Sequence, residues 1–134
     1  MRFLSRNRRA LFTFALGAVC YPAIELIWRG RTHWSMALTG GACLLAIGRM
    51  NGRLRGRVGW PGRCALGSLI ITSFELSVGL VVNRCLKWNV WDYSRVPGNL
   101  LGQICLLYSL LWCLLSAAIC PVCRALKKHF DGVC

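Results

Sequence analysis

Acidic residues are almost absent from this chain. Among 134 residues only Glu25, Glu75, Asp92 and Asp131 carry a carboxylate, against seventeen Lys and Arg, a formal net charge of +13. Histidine is as scarce, with His33 and His129 alone. No Gly-rich loop ending in Lys-Ser/Thr is present, so the chain has no phosphate cradle with which to bind ATP. No Ser, His or Cys stands in a recognisable nucleophile–base arrangement. The chain therefore reads as a non-enzyme with no cofactor. A polar domain is also missing. Hydrophobic residues make up 56% of the chain, which excludes the low-hydrophobicity, high-charge composition of disorder. The basic stretch "RMNGRLRGR" (49–57) lies between apolar runs rather than on a polar domain, which argues against nucleic-acid binding. High hydrophobicity with basic loops is the composition of an integral membrane protein.

Uncharged apolar runs of membrane-crossing length fall at about 10–28, 34–48, 64–82 and 100–120. The second is short and Gly-rich. The expected fold is all-α: four transmembrane helices forming one integral membrane domain over 1–134, with an outer loop at 83–99. Twelve of the seventeen cations lie before the first run, between the second and third, or after the fourth; five lie in the other two loops. The tendency of Lys and Arg to stay in the cytoplasm then places both termini inside, in a multi-pass topology. Trp28, Trp34, Trp88 and Trp91 fall near the outer interface and Trp60 near the inner one, the depth that indole rings favour. In this topology His33 and His129 lie on opposite sides, so they form no metal site. The basic start of the first run also fits a cleaved signal peptide, but the repeat described next argues that it stays.

The segment "ALGAVCYPAIEL" (15–26) aligns with "ALGSLIITSFEL" (65–76) at an offset of 50. "LTGGACLL" (38–45) aligns with "LLGQICLL" (100–107) at an offset of 62, five of eight positions being identical. The chain thus reads as two parallel-repeat helical hairpins about a pseudo-two-fold axis along the membrane normal. The second hairpin has a longer outer link, which contains Trp91, Asp92, Tyr93 and Ser94.

Glu25 and Glu75 occupy equivalent places in the two repeats. A carboxylate at this depth faces the bundle interior or water and needs a partner. Glu25 has Arg29 at i+4, so a local ion pair competes with a functional role. Glu75 has no cation on its own helix. Its partner is to come from Asn99, Gln103, a loop arginine or a ligand, with Asn99, Gln103 or an ordered water as the expected donors, and its role is either one interhelical bond holding the bundle or part of a transport or binding site. Gly67, Ile71, Glu75 and Gly79 share one helix face, and Gly40, Gly41 and Gly102 are further points of close approach. Asp92 caps a local turn, pairs with Arg84 or Arg95, or meets a ligand at the mouth. The substrate- or ion-binding candidates are accordingly Glu25, Glu75, Asn99, Gln103 and Asp92. The pair "CPVC" (120–123) is a redox motif in form. It lies at the inner, reducing end and has only Cys85 near the outer loops, so the nine cysteines read mainly as small packing residues.

The stretch from Glu75 and Gly79 through Trp91-Asp92-Tyr93-Ser94 to Asn99, Gly102 and Cys105-Leu106 resembles the permease family described as "Putative ABC-transporter type IV", which includes the transmembrane protein 229 group. Glu25 and Arg29-Gly30 match its first half loosely, with Trp28 where the family carries Asn. The resemblance implies a transport permease, served by a separate ATPase chain. Four short helices also suit a homodimer. Two functions remain open at this level. One is transport of a solute, cationic by the chemistry of the carboxylates, through the polar cluster. The other is a non-transporting membrane protein that assembles with partners or organises anionic lipids through its arginines.

Overall fold

The computed structural model describes residues 2–130, apart from the side chains of Arg2, Ser5 and Arg29. The described residues form four helices: α1 (Arg2–Arg29), α2 (Trp34–Leu54), α3 (Trp60–Gly79) and α4 (Leu106–Phe130). A π-helical segment, Leu80–Cys85, continues α3, and two short strands, β1 (Asn99–Leu100) and β2 (Ile104–Cys105), precede α4. α1 packs most extensively on α2, and α3 on α4. Both chain ends and the α2–α3 turn lie at one end of the bundle, the terminal end, where the rings of Phe12 and Phe130 lie 5.3 Å apart. The α1–α2 turn and residues 86–105 lie at the other, the loop end, where the Trp28 indole donates to the Tyr108 hydroxyl (3.1 Å).

Among the described residues three segments are long and apolar enough to cross a membrane: Arg6–Trp28, Trp60–Cys85 and Leu106–Phe130. Their wide exposed apolar faces, with Leu11, Val19, Ile27, Leu69, Leu106 and Leu114 all largely uncovered, would be a liability in water and suit contact with lipid. α2 is not among the three. Arg49 and Arg53 interrupt its apolar run, and it is the helix with the most buried residues. Its start is fixed by His33, whose Nδ1 accepts from the Ser35 backbone N–H (3.2 Å), a side-chain cap of the kind that satisfies an orphan donor.

Glycine sets the distance between α1 and α2. A Cβ on Gly40 would collide with the Tyr21 side chain and the Gly17 carbonyl, and one on Gly17 would strike Gly40 in return. The two backbones are therefore in direct contact, the arrangement that small residues permit in apolar surroundings. Pro22 and Pro121 sit inside α1 and α4, which membrane helices tolerate better than soluble ones.

The start of α4 differs from the sequence expectation. The apolar run begins near Leu100, but the helix begins at Leu106. Residues 99–105 form a miniature hairpin, with Asn99 opposite Cys105 and Leu100 opposite Ile104. At its tip the Gln103 N–H returns to the Leu100 carbonyl (3.1 Å). Leu101 and Gly102 both have positive φ, 56° and 69°, as a type I′ turn requires. Glycine adopts that region freely, whereas leucine is strained there. The other helices run longer than expected because polar and basic residues at the terminal end extend them beyond the apolar core.

Candidate functional site

Glu75 is the centre of the bundle's polar chemistry. It projects from the last turns of α3 and is 3% exposed. One carboxylate oxygen accepts from the Tyr21 hydroxyl of α1 (2.9 Å), the other from the Trp112 indole N–H of α4 (3.0 Å). An ionised carboxylate loses several kcal/mol of hydration at such a position unless donors replace the water. Each charge-assisted bond returns about 1.5–3 kcal/mol. Tyr21 and Trp112 thus join three helices at one residue.

The donors differ from those expected. Asn99 and Gln103 use their side-chain amides elsewhere. Asn99 donates to the carbonyls of Ser94 (3.2 Å) and Val96 (2.8 Å) and accepts from the Gly102 N–H (3.1 Å). Gln103 donates to the Leu101 carbonyl (3.1 Å) and accepts from Asn83 (2.8 Å). The hairpin explains this. Because residues 99–105 are not helical, Asn99 and Gln103 do not share a helix face and brace a loop instead.

Glu25 is also buried, 5% exposed. It lies one turn beyond Tyr21 on α1, so the two share a face, and the Tyr21 hydroxyl feels the charge of both carboxylates. Glu25 accepts from the Thr32 hydroxyl across the α1–α2 turn (3.0 Å). The expected pairing with Arg29 lies outside the described side chains.

Asn83 is the residue that sequence reasoning missed. It sits in the π-helical segment, a geometry that often marks functional positions. Its oxygen accepts from the backbone N–H groups of Val90 (2.7 Å) and Trp91 (3.4 Å), while its amide donates to Gln103. One side chain thereby holds the start of the Trp-Asp-Tyr-Ser segment against the hairpin. Trp91 is buried, and its indole donates to the Gln103 carbonyl (3.0 Å), so it turns into the protein, whereas Trp28, Trp34 and Trp88 are exposed. A Cβ on Gly79 would come within 2.9 Å of the Trp91 ring. Gly79 is therefore the gap into which this loop closes, one turn above Glu75.

Aromatic rings continue the path inward. Tyr93 stacks on Tyr108 (4.7 Å), Tyr108 lies 6.3 Å from Trp112, and Trp112 lies 5.8 Å from Tyr21. The series runs from the loop to the Glu75 carboxylate. Above it, a shallow pocket of about 380 Å³ is lined by Asn83, Asp92, Asn99 and Gln103 among others. Asp92 is exposed at its rim. Its carboxylate accepts from the Ser94 backbone N–H (2.9 Å). Hydrogen bonding to the Ser94 side chain and backbone, with Arg95 nearby, holds this acid below the usual carboxylate range. The structure thus brings Asp92, Asn99 and Gln103 together at the mouth and Glu25, Glu75 and Tyr21 beneath it. Among the described residues no group of three or more His, Cys, Asp and Glu is gathered to hold a metal ion.

An all-helical chain with three span-length apolar helices and a polar centre between them is an integral membrane protein of transporter type. The family model described as "Putative ABC-transporter type IV" matches residues 39–131, and the chain belongs to that family. The matched region carries Glu75, Asn83, the Trp91–Ser94 segment, Gln103 and Trp112, whereas Tyr21 and Glu25 precede it. No solved structure matches the chain.

Proposed function

We propose that the chain is the membrane-embedded part of a small transporter that moves a cationic solute or protons through the cluster around Glu25 and Glu75. The observation that carries this reading is the burial of two carboxylates on neighbouring faces in a bundle with so few acids. Carboxylates retained at such depth mark ion and proton pathways. The loop-end pocket, with Asp92 at its rim and Asn83 and Gln103 at its floor, leads toward Gly79 and then Glu75. Movement of the Trp91 segment out of the Gly79 gap would open that route.

In this reading α2 is a fourth span, held at membrane depth by its glycine contact with α1, and the α1–α2 and α3–α4 hairpins are repeats. Both termini face the cytoplasm, because twelve of the seventeen cations lie at the terminal end. A separate ATPase chain would dock on that end, and two copies of the chain would form the working unit. Flux into proteoliposomes tests the proposal. Glu75→Gln should insert and fold normally yet lose transport of a cationic solute or of protons. Unchanged flux in this variant would refute the carboxylate pathway.

A further inference from the structure

A large cavity lies at the opposite end from the carboxylates. It has a volume of about 940 Å³ and opens among the terminal ends of all four helices. Eight Lys and Arg side chains line it, including Arg6, Arg49, Arg53 and Arg124. No carboxylate lines it among the described residues. Like charges gathered within a Debye length, about 8–10 Å, repel one another unless an anion lies between them.

Its floor supplies a second and independent observation. Asn51, on α2, is 6% exposed. Its side-chain oxygen accepts from the Arg63 guanidinium (3.4 Å) and from the Cys120 thiol (3.2 Å). Arg63 can only donate, so these contacts fix the amide orientation and turn its NH₂ away from them. That NH₂ has no hydrogen-bond partner within the described chain, and neither has the buried Nε of Arg63. Two neighbouring buried donors without acceptors are costly, about 1–3 kcal/mol each in protein interiors. Both residues line the cavity, whose walls are cationic. An acceptor carrying negative charge and several oxygens satisfies donors and walls together, and the volume suits a headgroup-sized ligand.

We propose that the terminal end of the bundle contains a specific binding site for a phosphate-bearing anion, with Asn51 and Arg63 as the donors at its floor. It differs from a general attraction of surface arginines to anionic lipid in having a defined floor and a concave, partly enclosed volume. It stands apart from the carboxylate pathway, and either can fail without the other. Gly52 gives it a steric handle. This residue lines the cavity, and a Cβ added there meets nothing within 4 Å, so a side chain can be started at this position without a clash at its base.

The test is calorimetric titration of the full chain in neutral detergent with three probes: dioctanoyl phosphatidic acid, dioctanoyl phosphatidylcholine and sodium phosphate. Saturable binding of phosphatidic acid, at least about ten-fold tighter than that of phosphatidylcholine, is expected. Phosphate that competes with it assigns the site to small soluble phosphates; phosphate that does not compete assigns it to a lipid headgroup. Asn51→Asp replaces the donors with a fixed negative charge and Gly52→Leu fills the space. Each should weaken binding by about ten-fold or more while melting as the native chain does. Arg57→Gln, an exposed cation outside the lining, should leave it unchanged. If neither phosphatidic acid nor phosphate binds better than phosphatidylcholine, the proposal fails. It fails equally if Asn51→Asp and Gly52→Leu both bind as the native chain does, or if Arg57→Gln weakens binding as much as they do.

Discussion

Replacing Glu75 with leucine removes the acceptor that two buried donors share. The Trp112 indole N–H is a donor only. With Glu75 gone it faces apolar side chains, and the Tyr21 hydroxyl loses its bond as well. In soluble interiors an orphaned donor costs about 1–3 kcal/mol. Interhelical bonds inside membranes measure lower, about 0.6 kcal/mol on average and about 1.7 at most. Two such bonds give a gross loss of about 1–3 kcal/mol, reduced by the hydration cost that an ionised carboxylate no longer bears. The expected net destabilisation is therefore about 1–2 kcal/mol. Glutamine should differ. Its oxygen accepts from Trp112 while its amide donates to the Tyr21 oxygen once the hydroxyl rotates, so Glu75→Gln should lie within about 0.5 kcal/mol of the native chain. Equilibrium unfolding in mixed micelles measures both variants. A double-mutant cycle of Glu75→Leu with Trp112→Phe should return a coupling of about 0.6–1.7 kcal/mol. Full stability of Glu75→Leu, or a coupling indistinguishable from zero, would refute the account of Glu75 as the joint of three helices.

Asn83→Ala should release the Trp91 segment. Hydrogen exchange at Val90 and Trp91 should rise by about ten-fold or more, the loss of about 1.4 kcal/mol of protection, while α4 amides stay protected. Gly40→Val should separate α1 from α2 and prevent a stable bundle, whereas Gly52→Val, where a Cβ has open space, should be tolerated in thermal melts. Asp92 carries a pH signature. Its acidity in the folded loop is stronger than in an unfolded chain, so its stabilising contribution is complete above the ordinary carboxylate range and is lost as pH falls through the lower folded value. Exchange at the Ser94 amide should accordingly stay constant from neutral pH down to that range, after correction for intrinsic rates, and accelerate only beneath it. Thiol labelling from outside cells, in a cysteine-depleted background, should reach a cysteine at position 89 and miss one at position 55. The reverse pattern would invert the orientation.

The helices were legible because hydrophobic runs and their basic borders survive averaging over many residues. Glu75 was legible as a buried group because a lone acid in an apolar segment has few other places to go. Its partners were not. Tyr21 and Trp112 lie within apolar runs, where an aromatic residue reads as bulk, and nothing local indicates that its single polar atom points inward. The hairpin at 99–105 escaped for a related reason. Summed hydropathy counts Leu100, Leu101 and Ile104 as helix-compatible and takes no account of the positive φ at Leu101 and Gly102. Asn83 read as a loop residue because the π-helical turn that carries it has no composition of its own. The cavity at the terminal end was foreshadowed only by its cations, since the orientation of the Asn51 amide depends on Arg63 and Cys120 from two other helices.

The π-helical segment has a consequence for how this protein tolerates change in length. A π turn holds one residue more than an α turn would need to cover the same contacts. Deleting one residue between Leu80 and Asn83 would let α3 run on as a regular helix, and because the π turn carries that residue in excess, Asn83 would stay near its present angular position. Inserting one there would instead turn Asn83 by about 100°, away from Val90, Trp91 and Gln103 although no contact residue had been altered. A deletion a few positions later, among residues 86–89, breaks fixed geometry: the Leu86 and Trp88 N–H groups donate to the Val81 and Val82 carbonyls (2.9 and 2.8 Å), and Lys87 and Asn89 hold positive φ. Across natural or engineered variants, loss of one residue should therefore be tolerated better before Asn83 than between Leu86 and Trp91, with the boundary set by helical phase rather than by the chemistry of any one side chain.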